Sequence, residues 1–186
     1  MLEPTELLYA YAQGYFPMAI PEENDEIFWF KPEMRGIIPL EEFHISKNLR
    51  RLFNKQHFDL KINSDFEGTI RSCANREDTW ISEDIIKSYC KLNELGYAFS
   101  FETWRNERLV GGLYGVAISK VFFGESMFHL ETDASKIALV FLMEFMKENQ
   151  FKLLDTQYIN DHLKQFGAKE ITNEEYEILL ADALES

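Results

Sequence analysis

The sequence predicts an α+β fold, a mixed and mostly antiparallel sheet flanked by helices, behind a short N-terminal segment. Three observations carry this expectation. From Ala98 to Phe128 apolar and polar residues alternate in AFSFETWR, LVGGLYGVAIS and VFFGESMF, which are rich in aromatic and β-branched residues. Before and after that stretch, apolar residues instead recur at helical spacing behind Ser, Thr, Asp or Asn caps. Pro17, Pro21, Pro32 and Pro39 punctuate the first forty residues. The division expected is 1–35, a helix and an irregular segment, and 36–186, the main domain.

Taken in order, Pro4 and Thr5 open a helix over Glu6 to Gln13, with Leu7, Leu8 and Tyr11 on one face and Gly14 as its stop. Ser46 caps a second helix whose Lys47, Arg50, Arg51 and Lys55 share a face opposite Leu49, Leu52 and Phe53. Asn63 or Ser64 caps a third, carrying Phe66, Ile70 and Cys73. Ser82 caps a fourth, with Ile85, Tyr89, Leu92 and Leu95 inward and Gly96 at its end. The meander follows, turning at Asn106-Glu107. Asp133 caps a helix over Ala134 to Asn149 that crosses to the strand KLLDTQYI, which therefore gains a parallel neighbour. Ile159 to Phe166 form a short helix, and Thr172 with Glu175 makes a capping box for a last helix bearing Tyr176, Leu179 and Leu180. Helix, helix, three strands, helix, strand, helix is the order of an acyltransferase domain of the GNAT type.

Composition narrows the function. At 186 residues, 46% of them hydrophobic, the chain can fill one core, with at most a small appended lobe. No apolar run is long enough to cross a bilayer, and the N-terminus lacks the marks of a signal peptide, so a cytoplasmic protein is expected. A net charge of -13 and a pI near 4.8 oppose diffuse attraction to nucleic acid, so any RNA contact has to be local. Cys73 and Cys90 read as reduced core residues, and His44, His57, His129 and His162 show no metal spacing. No serine lies in a nucleophile-elbow context. An acetyl-CoA enzyme of the GNAT type offers a Gly-rich loop to the pyrophosphate at its main helix, whereas this chain has HLETDASK there.

Two strands carry polar residues that need explaining. Asp155 and Gln157 share one face of LLDTQY, where an acid and an amide are either a satisfied core pair or a site. Glu125 in VFFGESMF shares a face with Phe123 and Met127 if the strand is regular, beside a Gly124 that permits a bulge. Acidic groups at neighbouring strand ends suit a cationic substrate. Trp80, before a helix cap, is either a core residue or a flat face for a base, and the cationic helix face is either solvated or a grip for phosphates.

The strings AYAQGYFPMA, RGIIPLEEFHISKNLRR, DTWIS, LVGGLYGVAI, FFGESMF, ASKIAL and LLDTQYINDHLKQFGA, in this order, resemble the leucyl/phenylalanyl-tRNA–protein transferase family from about Leu7 to Tyr176. The resemblance implies a GNAT-like enzyme that transfers Leu or Phe, less readily Met, from aminoacyl-tRNA to proteins beginning with Arg or Lys, marking them for degradation. It implies that Asp155 orients Gln157, a neutral amide polarised by a carboxylate, which aligns the attacking α-amino group. Glu125 would meet the cationic acceptor terminus. Met127, Phe122, Leu113 and Leu154 would line the aminoacyl pocket, with a bulge at Gly124 bringing them to one site. Trp80 would stack on the terminal adenosine, and Lys47, Arg51 and Lys55 would hold tRNA phosphates. Cofactors and metals are not expected, aminoacyl-tRNA being a substrate, and a monomer is. Met18 stands where some members have a second adenine-contacting Trp, Thr172-Asn173 where Pro-Arg is usual, and an N-terminal stretch many members carry is absent; these departures bear on tRNA affinity. The rival readings are a related aminoacyl transferase of other specificity and a GNAT-like module that binds basic peptide N-termini without catalysis.

Overall fold

Seven strands form one sheet in the computed structural model, which describes residues 1–186. Its centre is the predicted meander: β5 (Ala98–Arg105), β6 (Arg108–Ile118) and β7 (Val121–His129). Asn106 and Glu107 turn the chain with φ of 50° and 61°, the left-handed pair that two-residue hairpins need. α5 (Ala134–Glu148) then crosses to β8 (Leu153–Gln157), which lies parallel to β7 as expected.

Three strands of this sheet were not foreseen. β3 (Met34–Ile37), β4 (Asp59–Ile62) and β9 (Lys169–Thr172) are four residues each, too short for an alternation signal, and all pair antiparallel. The order is β4-β5-β6-β7-β8-β3-β9, so β3, from early in the chain, lies between β8 and β9. The segment expected to be irregular is a hairpin: β1 (Phe16–Ile20) pairs antiparallel with β2 (Glu26–Phe30), and its prolines sit at an edge and in the connecting 3-10 turn. β3 also runs across the expected boundary at residue 35.

Helices cover both faces. One core contains residues of α1 (Pro4–Ala12), α3 (Phe66–Ala74), α4 (Glu83–Glu94) and α7 (Asn173–Leu184); the other is built on α2 (Lys47–Asn54), α5 and the loop around α6 (Asp161–Lys164). Ser46, Ser82 and Thr172 cap as read, the last with a complete capping box. The cap of α3 is Asp65, one or two residues later than expected. Leu95 and Leu179, expected inward, are exposed: Leu95 is the C-cap residue beyond the last turn of α4, and Leu179 lies at the margin of the face on which Tyr176, Leu180 and Ala183 are buried. No helix is long and apolar enough to cross a membrane.

Candidate active site

The site begins where two parallel strands part. β7 and β8 pair from Val121/Leu153 to Phe123/Asp155 and no further. Beyond that point Gly124, Glu125, Ser126 and Met127 line one side of a cavity of about 260 Å³ and Thr156 and Gln157 the other, with Leu154 of the paired stretch also on its wall.

A bulge sets what β7 shows to this cavity. Tyr114 pairs with Ser126 and Gly115 with Gly124, leaving Glu125 as the extra residue. Gly115 is required opposite it, since a Cβ there would lie 2.2 Å from the Phe123 carbonyl oxygen. Met127 is thereby moved off the face of Phe123 and packs in the same core as Phe122, correcting the regular-strand reading. The expected bulge is present, one residue beyond Gly124.

Glu125 is deeply buried and meets Gln157 directly: Gln157 Nε2 donates to Glu125 Oε1 at 2.9 Å. Tyr11 of α1 donates to the same oxygen and is itself bonded to Tyr89 of α4. Burial pushes the Glu125 carboxyl up to about 8, against the lowering effect of its hydrogen bonds to Tyr11 and Gln157. Gln157 reaches this position because its backbone is left-handed, φ 62°, where a non-glycine residue is strained.

Asp155 does not touch the amide. It accepts the main-chain N–H of Gln157 at 2.7 Å, so its hold on Gln157 runs through the backbone, while the carboxyl group at the amide is that of Glu125. The remaining acceptor capacity of Asp155 is taken by Arg35 of β3, through Nε at 3.1 Å and Nη2 at 2.7 Å, and by the Tyr176 hydroxyl at 2.7 Å. Arg35 also donates to the Gly14 carbonyl and lies between the rings of Phe16 and Tyr176. Gly36 admits this arrangement: it pairs with Gln157, and a Cβ there would stand 2.7 Å from the Tyr158 carbonyl.

Leu113, Met127, Leu139, Leu142 and Leu154 form the apolar part of the cavity wall, and Trp80 and Met18 also line it. Ala19 N–H donates to the Trp80 carbonyl, tying the N-terminal hairpin to the rim. Arg76 stands 5.7 Å over the Trp80 ring, anchored to the Cys73 and Met127 carbonyls and to Ser126 Oγ. The structure thus brings Asp155, Gln157, Glu125, Leu113, Leu154, Met127 and Trp80 together, all but Asp155 on the cavity wall. Phe122 is not on it; it is fully buried behind, edge-on to Phe101. Lys47, Arg51 and Lys55 are exposed on α2 and do not line it either.

Sequence reading missed Arg35, Tyr11, Tyr89, Tyr114 and Tyr176. Tyr11, Tyr89 and Tyr176 passed as inward helix residues and Tyr114 as one aromatic of a strand, although each buried hydroxyl needs a partner, and that need was a usable signal. Arg35 before GIIPL, a lone cation entering an apolar run, was another. Cys73 is no rival nucleophile, burial pushing its thiol up to about 12. No three His, Cys, Asp or Glu side chains are grouped to hold a metal ion.

Comparison with known proteins shows the family and the fold. A family model described as leucyl/phenylalanyl-tRNA protein transferase matches residues 37–181, and that for the family's N-terminal domain matches residues 1–33. The chain is 50% identical over 182 residues to the leucyl/phenylalanyl-tRNA–protein transferase of Paramagnetospirillum magneticum, covering 96% of this chain and 87% of that one. Among solved structures, a GCN5-related glucosamine N-acetyltransferase region of a fungal multi-domain GH3 β-N-acetylglucosaminidase shares the fold, with a TM-score of 0.51 at 8% identity. That likeness covers 90% of this chain and 22% of the other. L-PGS from Bacillus licheniformis is more distant, with a TM-score of 0.43 at 13% identity over 87% of this chain and 55% of that one. The GNAT-like fold expected from the element order is therefore present, and the chain belongs to the leucyl/phenylalanyl-tRNA–protein transferase family, enzymes that pass an amino acid from aminoacyl-tRNA to protein.

Proposed function

We propose that this transferase moves Leu or Phe, and less readily Met, to the α-amino group of proteins that begin with Arg or Lys, in the cytoplasm, marking them for degradation. The observation that carries this reading is the adjacency of an acid–amide pair, Glu125 and Gln157, to an apolar wall within one cavity. The wall of leucines and a flexible methionine suits an apolar side chain, aliphatic or aromatic. Glu125 suits the cationic acceptor.

In this reading the acceptor nitrogen attacks the ester carbonyl of the aminoacyl-tRNA. The C–N bond forms, the ester C–O bond breaks, and the proton lost from nitrogen ends on the departing ribose hydroxyl. Gln157 spends its Nε2 on Glu125, which leaves its Oε1 to accept an N–H of the attacking amine and aim the lone pair. Asp155 positions Gln157 through its main-chain N–H. Aminolysis of an ester needs alignment more than a strong base, so the reaction calls for neither cofactor nor metal. Trp80, half-buried on the rim, is the stacking face for the terminal adenosine, and Lys47, Arg51 and Lys55 hold phosphates further along the tRNA, with the enzyme acting as a monomer.

The test is a panel: Leu-, Phe- and Met-tRNA as donors against peptides starting with Arg, Lys or Gly. The expected result is transfer to the Arg and Lys peptides from Leu- and Phe-tRNA, and weaker transfer from Met-tRNA. Equal transfer to the Gly peptide would overturn the acceptor assignment, and a different preferred donor would favour an aminoacyl transferase of other specificity.

A further inference from the structure

Tyr11, Tyr89 and Tyr114 all surround Glu125, and two of them have their hydroxyls engaged in its hydrogen-bond network. Tyr114 of β6 is the exception. Its side chain is 1% exposed, its ring is held edge-on by Phe66 and Tyr89, and its hydroxyl is buried without any partner. Phenylalanine would satisfy the same ring packing without leaving a buried hydroxyl unpaired, which is unfavourable.

The second oxygen of Glu125 is also unused. Tyr11 and Gln157 both bond Oε1, and no side chain or backbone group bonds Oε2. Tyr114 and Glu125 line the same cavity. Once Glu125 has lost its proton, one spare hydroxyl oxygen and one spare carboxylate oxygen on the same cavity offer two acceptors, one of them anionic. The complement is a cation with several N–H donors, an ammonium or a guanidinium.

We propose that Tyr114 is a specificity-determining residue of the acceptor subsite: its hydroxyl oxygen accepts a hydrogen bond from the cationic side chain of the acceptor's first residue, alongside Glu125 Oε2. This rests on the assignment of Glu125 to the acceptor. It accounts for the unpaired hydroxyl as a group held ready for substrate, and it places the selection of Arg and Lys on two residues contributed by neighbouring strands.

The test compares two peptides that differ only in their first residue, Lys or norleucine, with the native enzyme, Tyr114→Phe and Glu125→Gln. Tyr114→Phe is expected to raise KM for the Lys peptide about tenfold or more, the loss for a hydrogen bond to a charged group, with kcat and the norleucine KM unchanged. Its thermal stability is expected to be no lower than that of the native chain. An unchanged Lys KM, an equal rise for both peptides, or a fall in kcat alone would overturn the proposal. Glu125→Gln separates the two assignments. If it abolishes the preference for Lys while Tyr114→Phe does not, Tyr114 is excluded and Glu125 stands; if it leaves that preference intact, the acceptor assignment of Glu125 fails and this proposal with it.

Discussion

Arg35 and Asp155 form a two-point ion pair, at 3.1 and 2.7 Å, in which neither side chain is exposed to solvent. The pair joins β3 to β8 at the place where the sheet opens, and its acid also holds the main chain of Gln157 and the hydroxyl of Tyr176. Such a pair gives little net stability over a well-packed apolar replacement, but losing one partner leaves a buried charge. Through that main-chain bond the pair is connected to Gln157.

Arg35→Met is therefore expected to destabilise the chain by about 3–5 kcal/mol, and Asp155→Asn by a comparable amount. The double variant should lose clearly less than the sum of the two. Urea unfolding of the native chain and the three variants measures this, and additive losses would show that the two side chains do not act as a pair.

The left-handed backbone of Gln157 separates stability from activity. Gln157→Ala and Gln157→Gly remove the same side chain, but only glycine is at ease at a φ of 62°. The glycine variant should be more stable than the alanine variant by about 1 kcal/mol, with both losing most of kcat. Equal stabilities would mean that the turn carries no strain.

Glu125 makes stability and activity depend on pH in opposite directions. Its folded pKa, near 8, lies above the ordinary 4.5, so between those values the folded chain holds a proton that the unfolded chain has released. Stability therefore falls as pH rises from about 4.5 to about 8 and then levels off. Glu125→Gln stays neutral, and at pH ~9 it should melt above the native chain while matching it near pH 5. Transfer runs the other way, because the acceptor cation needs the carboxylate and the attack needs a neutral amine of pKa about 8. Below both values log kcat/KM should rise with a slope near two in the native enzyme and near one in Glu125→Gln; a slope of one in both would remove Glu125 ionisation from catalysis.

Trp80→Ala should weaken aminoacyl-tRNA binding by about 1–3 kcal/mol, the size of one base–aromatic stack, with the fold intact by circular dichroism. Binding that matches the native enzyme would take Trp80 out of the tRNA contact.

Long, strongly patterned elements were legible in the sequence. The meander, the crossover helix α5 with its parallel strand and the capped helices follow from periodicity and caps, signals that accumulate over ten or more residues. β3, β4 and β9 did not, because a four-residue strand acquires its identity from its neighbours in the sheet. The same limit hid Arg35, which matters only once β3 lies beside β8. Asp155, Gln157 and Glu125 stood out as polar residues on otherwise apolar strands. Their connections did not, since the bulge at Glu125 and the left-handed turn at Gln157 are what decide which group each one touches. Three of the tyrosines, Tyr11, Tyr89 and Tyr176, were placed on inward helix faces, but where their hydroxyls and that of Tyr114 point depends on packing between α1, α4, α7 and the sheet.

The central claim, that Gln157 aligns the attacking amine while Asp155 positions Gln157, is tested most directly by single-turnover transfer of labelled Leu or Phe from its tRNA to an Arg-starting peptide. The native chain, Gln157→Ala and Asp155→Ala would be compared at saturating donor and acceptor. Transfer by the native chain, with a loss of a hundredfold or more in both variants at unchanged aminoacyl-tRNA affinity, is the predicted result. Native-like transfer by folded Gln157→Ala would contradict the account, and binding of the peptide without transfer by the native chain would reduce this protein to a module that recognises basic N-termini.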